Sequence, residues 1–294
     1  MSGSYRRILI VANPIAGSGR ARAQAEELAR ELRRFSGQVE LFFTSARGDA
    51  TRHTRLRHGE LDLAVAVGGD GTVREVLEGL GDGSVPLAVL PMGTANVMSL
   101  DLGLPRNAAG TARMIANGRT TAIDVARTNG GMLSFLVSGA GLDAQVVHAL
   151  EELRKGPITK LTWIRAGLRA LLKSDAPRLQ VALDGRELRG EHCQVLFSNI
   201  VHYGGHRVLA RDRVLDDGEW ELYLFPARMQ PLALLYGLRA ITLGLPGGPV
   251  KRVRGKKLEV RSAEPVPCHV DGDAAGATPF TIELERVQRR LVIP

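Results

Sequence analysis

Asp70 stands among glycines in the run Gly68-Gly69-Asp70-Gly71-Thr72, directly after the apolar segment LAVAV. Adjacent glycines open backbone conformations closed to other residues and let a phosphate approach the main chain. An amphipathic helical pattern follows at once, so the unpaired N–H groups and positive end of a helix should face this turn. An anion is the natural occupant of such a place. A carboxylate repels phosphate unless a cation or a transferable proton lies between them. Asp70 therefore points to metal-assisted phosphate chemistry. Thr72, with Glu75 three residues later, reads as a capping box that starts the helix at Thr72.

Two further turns share this texture. Pro91-Met92-Gly93-Thr94-Ala95-Asn96 follows the apolar VPLAVL and offers small polar donors beside a glycine, although alone it is equally an N-capped turn. Asn13-Pro14 with Gly17-Ser18-Gly19 is a glycine-rich turn ahead of a helical pattern. The Gly68–Thr72 turn is not a Walker A loop, because no Lys-Ser/Thr pair follows, and it is not the G-x-G-x-x-G dinucleotide fingerprint. A different acidic turn, Asp271-Gly272-Asp273, lies between VPCHV and TPFTIEL. There a hairpin turn and an acid delivered to a reaction centre are compatible readings.

The elements that must position these turns alternate in type up to Asp124. Strands are expected at Ile8–Ala12, Val39–Phe43, Leu61–Val67 and Leu87–Leu90, and helices at Ser18–Phe35, Asp49–His58 and Thr72–Leu80. Continuously apolar strands separated by helices imply a parallel sheet covered on both faces. Ligands of such sheets sit beyond the carboxyl ends of the strands. Asn13-Pro14, Thr44, Gly68–Thr72 and Pro91–Asn96 each follow a strand, so they should converge on one edge. After Asp124 short strands dominate, at Leu133–Val137, Leu179–Leu183, Gln194–Ser198, Glu219–Phe225, Lys257–Val260, Val266–Val270 and Phe280–Leu284. Asp184-Gly185, Asp217-Gly218 and Asp271-Gly272 punctuate them, and helical insertions are expected near Asp143–Ser174 and Met229–Leu243. The expected architecture is a Rossmann-like α/β domain over residues 1–125, with residues 286–294 free to return to it. An antiparallel β-sandwich domain follows over residues 126–285, with a cleft between the two.

Composition narrows the partners. The 294 residues are 44% hydrophobic, enough for one large or two medium cores. A net charge of +8 attracts nucleotides, nucleic acids or acidic lipid headgroups. Aromatic residues at 4% give no base-stacking platform, and no helix-turn-helix pattern is present, so nucleic acid is not an expected partner. Cys193 and Cys268 lie far apart without ligand spacing, which fits a reducing cytoplasm. The apolar run after Arg6-Arg7 is too short for a signal sequence. No run approaches the roughly 18 apolar residues of a membrane span. Residues 158–173, ITKLTWIRAGLRALLK, place Leu161, Ile164, Leu168, Leu171 and Leu172 on one face, with basic residues and Trp163 between them. That is a pattern for the membrane surface, or for a helix packed on the sandwich with a solvated basic face. The charge run Lys251–Lys257 reads as a second attraction to anionic lipid or as a solvated loop.

Taken in order, the motifs resemble those of the lipid kinases that include bacterial diacylglycerol kinases and sphingosine kinases. The resemblance spans nearly the whole chain: an NPxxG-type turn at Asn13–Gly17, GGDGT at Gly68–Thr72, PxGTxN at Pro91–Asn96 and Asp124 in AIDVA. It continues with a G-x-G-x-D-A segment at Gly139–Ala144, LDDG at Leu215–Gly218 and the D-G-acid triplet at Asp271–Asp273. It implies ATP lined by Asn13, Thr44, Gly68, Gly69, Gly71, Thr72, Gly93, Thr94 and Asn96. It implies Mg²⁺, with Asp70 and Asp124 organising the metal and its waters. Asp271 is implied as the base for a lipid hydroxyl, supported by Asp273, which stands where the family more often carries glutamate. In the sphingosine kinases the aspartate of the glycine turn is the usual candidate, so Asp70 remains a rival base. Asp216 and Asp217 fall at a second, structural Mg²⁺ site, but Ala-Arg-Asp-Arg-Val precedes them where proline and small residues are typical.

The reaction so implied is ATP- and Mg²⁺-dependent phosphorylation of a lipid alcohol, with diacylglycerol to phosphatidic acid as the default. The enzyme would work in the cytoplasm at the inner face of the membrane, and pairing as a homodimer is compatible with it. NAD kinases share the GGDGT turn, but the Gly-rich continuation and Asn-Glu/Asp pair expected of them are not found. A catalytically silent lipid- or nucleotide-binding regulator is the other alternative, and the intact Asp70, Asp124 and Asp271 stand against it.

Overall fold

The computed structural model describes residues 5–152, 177–203, 207–210, 212–227 and 249–294. They divide into two compact units, each taken by itself below. One comprises the chain up to Asp124, His202–His206 and Arg286–Pro294, the other Val125–Val201 and Arg207–Glu285.

The first unit alternates strand and helix: β1 (Arg7–Ala12), α1 (Arg20–Leu32), β2 (Gln38–Phe43), α2 (Asp49–Arg57), β3 (Leu63–Gly68), α3 (Asp70–Leu80) and β4 (Leu87–Pro91). Helices α4 (Val97–Asp101) and α5 (Ala108–Asn117) and strand β5 (Thr120–Ile123) complete its main run. Strands β3 and β4 are buried throughout and β1 beyond its first residue, as continuous apolar runs between two helical layers require. Helix α1 turns Ala21, Ala25, Leu28, Ala29 and Leu32 inward. It starts at Arg20, after the expected Ser18, because Gly17, Ser18 and Gly19 all take left-handed conformations unsuited to a helix.

The second unit opens with β6 (Ala126–Thr128), β7 (Leu133–Ser134), β8 (Val137–Gly141) and α6 (Leu142–Glu152). It continues through β9 (Leu179–Leu183) and β10 (Arg186–Ser198). In chain order come β11 (His202–Tyr203), which belongs to the first unit, and β12 (Arg207–Val208) of the second. Then come β13 (Trp220–Pro226), β14 (Lys251–Gly255), β15 (Lys257–Arg261), β16 (Pro267–Val270), β17 (Asp273–Ala277) and β18 (Phe280–Leu284). The C-terminal strand β19 (Arg289–Val292) belongs to the first unit, whose sheet order is β2-β1-β3-β4-β19-β5. β19 runs parallel to β4 and antiparallel to β5.

An eleven-stranded sheet with antiparallel pairing organises the second unit. Phe197, Trp220, Leu222, Leu258, Val270 and Ile282, from five of its strands, share one buried core. The turns Asp184-Gly185 and Asp271-Gly272 have positive φ at both residues, 51° and 76° in the first and 51° and 84° in the second. Both are therefore type I′ hairpin turns, which match the right-handed twist of the flanking strands.

Three expectations change. The strand expected at Leu133–Val137 is split between β7 and β8. The charge run at Lys251–Lys257 is not a loop: its first half is β14, paired along β13. Arg252 meets Glu221 and Asp212 there, and Arg254 meets Asp217 and Glu221, so part of its charge is spent internally. Of the two helical insertions, only the start of the first is described, as α6. The rest, including the basic segment 158–173, lies outside the described residues. Among the described residues no helix is long and apolar enough to cross a membrane.

Candidate functional site

The carboxyl ends of β1, β3 and β4 bring three of the predicted turns together. Ladder-like bonds continue past the strand ends: Asn13 N–H donates to Val67 O at 3.0 Å, and Met92 N–H to Gly68 O at 2.8 Å. Beyond them Gly69 and Gly93 meet backbone to backbone. A Cβ on Gly93 would lie 2.5 Å from the Gly69 Cα, and one on Gly69 would lie 3.2 Å from the Gly93 Cα. Gly17, in the first turn, packs as closely against Met92. At Gly93 a side chain is excluded because the main chain of Gly69 occupies the space.

Asp70 is the first residue of α3, and its carboxylate accepts the Val97 N–H at 3.2 Å. It thus ties the second turn to the start of α4, a favourable place for negative charge. The N-cap of α3 is Gly69, and no side chain caps the start of the helix. Gly71 is exposed, with nothing near the position of its missing Cβ. A glycine turn, an uncapped helix start and a neighbouring carboxylate together suit a phosphate with its metal ion.

The capping box at Thr72 and Glu75 is overturned. Helix α3 begins two residues before Thr72, whose N–H bonds the Gly69 carbonyl oxygen at 2.9 Å. Glu75 caps a different helix, accepting the Gly48 and Ala50 N–H groups at the start of α2, at 3.0 and 3.2 Å. Asn96 is a clamp. Its Oδ1 accepts the Gly93 N–H at 2.9 Å and its Nδ2 donates to Gly93 O at 2.7 Å, so both ends of the amide hold the turn. Thr94 is exposed at the tip of that turn. Thr44 follows β2 and bonds its N–H to Ala12 O at 2.9 Å. The loop after it is gathered by Asp49, which accepts the Ser45 hydroxyl and the Ser45 and Ala46 N–H groups. Those bonds, led by the Ser45 hydroxyl, pull the Asp49 carboxyl down to about 2.

Asp124 does not share an edge with Asp70. Gly68 is level with Pro91, whereas Leu291 is level with Leu87 and Ile123 with Arg289. β5 runs against its neighbours and carries Asp124 to the opposite edge of the sheet. The separation along the strands is on the order of 20 Å. There the buried Asp124 accepts Gln288 Nε2 at 2.9 Å, and Gln288 abuts Gly83 in the loop before β4. A reversed strand cannot be foreseen from an apolar run.

Asp271, in the second unit, sits at the first corner of its type I′ turn. Its Oδ1 accepts the Ser134 hydroxyl at 2.8 Å and the Leu136 and Val137 N–H groups at 3.0 Å each. Its Oδ2 accepts the Phe135 N–H at 3.1 Å. The Ser134 hydroxyl is in turn fixed by Ser138, at 2.9 Å. Asp273 pairs with Val270 across the hairpin. Two residues before Asp271, the buried His269 places Nε2 2.9 Å from Asp143 Oδ2, the acid of the G-x-G-x-D-A segment.

Asp216 and Asp217, expected at a second metal site, lie on the turn before β13. Asp217 accepts Arg213 Nη1 at 3.0 Å and is closed on its other oxygen by Arg254, while Asp216 is exposed. Among the described residues no group of three or more His, Cys, Asp or Glu side chains is arranged to hold a metal ion. Sequence reading missed Ser134, Arg213 and the bond between Asp101 and His202 (Oδ1 to Nδ1, 2.7 Å), and it gave Glu75 to the wrong helix. Apart from Asp217 and Glu219, which follow Arg213 closely, their partners lie well away along the chain.

Residues 7–128 match the family model of the diacylglycerol kinase catalytic domain, and residues 136–292 match the YegS C-terminal NAD kinase beta sandwich-like domain. The chain is 26% identical to a diacylglycerol kinase of Bacillus subtilis (strain 168) over 285 residues, 93% of this chain and 92% of that one. It is 27% identical to a diacylglycerol kinase of Staphylococcus aureus (strain MRSA252) over 290 residues, 96% of this chain and 90% of that one. Its fold is that of a crystal structure of a diacylglycerol kinase from Bacillus anthracis str. Sterne. That likeness has a TM-score of 0.79 at 24% identity and covers 99% of this chain and 98% of that one.

Two glycine substitutions separate packing from ligand access. Gly93→Ala forces the Gly69 contact apart and should cost about 1–3 kcal/mol of stability. Gly71→Ala should leave Tm unchanged or higher, since alanine suits a helix better, while weakening ATP binding at least tenfold. Calorimetry for Tm and ATP titration check both, and equal behaviour of the two variants would contradict the assignment. The Asp49 staple predicts an acid response. A carboxyl lowered in the folded state contributes stability above its unfolded value near 3.8, and this is lost as pH falls to about 2. The urea midpoints of wild type and Asp49→Asn should converge over that interval.

Proposed function

This chain belongs to the diacylglycerol kinase family of lipid kinases, and on that footing we propose that it transfers the γ-phosphoryl group of ATP to a lipid hydroxyl. The proposed acceptor is diacylglycerol and the product phosphatidic acid. The observation that carries this reading is the backbone contact of Gly69 with Gly93 beside the uncapped start of α3. Phosphoryl transfer needs positioning and charge neutralisation more than covalent chemistry, and main-chain N–H groups supply both. Gly69, Gly71 and Thr72 are assigned to the phosphates, with Asn13, Thr44 and Thr94 on the surrounding turns. Gly68, Gly93 and Asn96 are assigned to shaping the turns.

Mg²⁺ bound with the nucleotide would neutralise charge on the phosphates, and Asp70 is the carboxylate beside that turn. Asp124 has no part in that assignment. The attacking hydroxyl must lose its proton, and we assign this task to Asp271 on the resemblance of its triplet, with Asp273 following it. Four donors fix the Asp271 carboxylate in one orientation, and its assignment as the base rests on the triplet. Contact with an anionic membrane face, a cytoplasmic setting and pairing as a homodimer belong to the same reading.

Purified protein given radiolabelled ATP, Mg²⁺ and vesicles containing diacylglycerol should produce labelled phosphatidic acid. Label transferred to NAD, with none to any lipid alcohol, would replace this reading with an NAD kinase. Asp271→Asn should lower kcat by about 10²–10⁴-fold, as expected for loss of a general base. Ser134→Ala, which removes one donor and leaves the carboxylate, should lower it by no more than roughly tenfold. Equal losses in the two variants would make Asp271 a scaffold residue and return the role of base to Asp70.

A further inference from the structure

Arg213 is a long charged side chain with no exposed surface, held entirely by oxygen atoms. Its Nε donates to Asn199 Oδ1 at 2.9 Å, its Nη1 to Asp217 Oδ1 at 3.0 Å and its Nη2 to Glu219 O at 2.6 Å. Nη2 also contacts Asn199 Oδ1. The oxygens come from three places: the residue after β10, the Leu215–Gly218 turn and the start of β13. Asn199 turns its Nδ2 to the Leu215 carbonyl oxygen at 3.1 Å, so the turn is gripped from both sides. On the outer side Arg254 closes on the remaining oxygen of Asp217, and Arg252 neutralises the buried Glu221.

Carboxylate, amide and carbonyl oxygens converging on a tight turn are a donor set for a hard divalent cation. Here a guanidinium already occupies that set. It is planar, presents five donors and keeps its charge at any working pH, so it satisfies several oxygens at once. A dication on the same oxygens would face two arginine charges and would have to displace one of them. The residues present therefore do not fit the structural Mg²⁺ that the LDDG motif suggests. The departure noted before it in sequence supplies the replacement.

We propose that the Arg213 guanidinium is the built-in structural cation of this turn and that the turn takes no divalent metal. The fold of the second unit is then independent of Mg²⁺, and any metal requirement belongs to the nucleotide alone.

Thermal unfolding of the full chain without nucleotide, in EDTA and in millimolar Mg²⁺, tests this. Wild type should show the same Tm in both. Asp217→Asn, which leaves Arg213 short of its counter-ion, should lower Tm by roughly 5–10 °C, equally in both solutions. Arg213→Met should lower it at least as far, and the Asp217→Asn comparison stands even where that variant does not fold. A saturable rise of wild-type Tm with Mg²⁺ that Asp217→Asn abolishes would overturn the proposal. So would an Asp217→Asn Tm equal to that of wild type. Because nucleotide is absent, neither result bears on the kinase reading.

Discussion

Gly93 comes so close to the main chain of Gly69 that it cannot carry a side chain, and two turns of the first unit meet at that approach. Two strand ends must finish level for it to occur, and the register of Gly68 with Pro91 provides this. The turn from β4 must then double back, which Asn96 achieves by binding both backbone groups of Gly93 from a left-handed conformation. Asn tolerates that conformation better than most residues. Helix α3 starts early as a result, and its first turn faces the surface instead of a capping side chain. A bare helix start flanked by glycine is what phosphate recognition needs.

Aspartates serve this chain as backbone staples. Asp49 gathers two N–H groups, Asp62 takes those of Arg6 and Arg7, and Asp184 takes those of Lys256 and Lys257. Asp271 takes three, from Phe135 to Val137. Asp184 and Asp271 even share the same type I′ turn. Holding backbone is therefore no mark of catalysis by itself. What distinguishes Asp271 is the family triplet that it opens.

The sequence carries the strands and their order of types because burial on two faces leaves a continuous apolar run, as in β3 and β4. It carries the glycine turns because only glycine allows such backbone approach. It does not carry directions. The reversal of β5 removes Asp124 from the company of Asp70, although AIDVA gives no hint of it. Nor does it carry long-range partners. Glu75 has the spacing of a capping box yet finds its site on α2, and a run of five basic residues conceals a strand whose arginines meet Glu221 on β13. Arg213 looks like surface charge until Asn199 and Asp217 are seen around it.

The central claim is that the main chain of the glycine turn binds the phosphates of the nucleotide. Amide chemical shifts of isotopically labelled protein, followed while ATP is added, test it most directly. The account predicts that the largest saturable shifts fall on the amides of Gly69 to Thr72, with smaller ones at Thr94. Saturable shifts confined to other parts of the chain, with the Gly69–Thr72 amides unmoved, would contradict it.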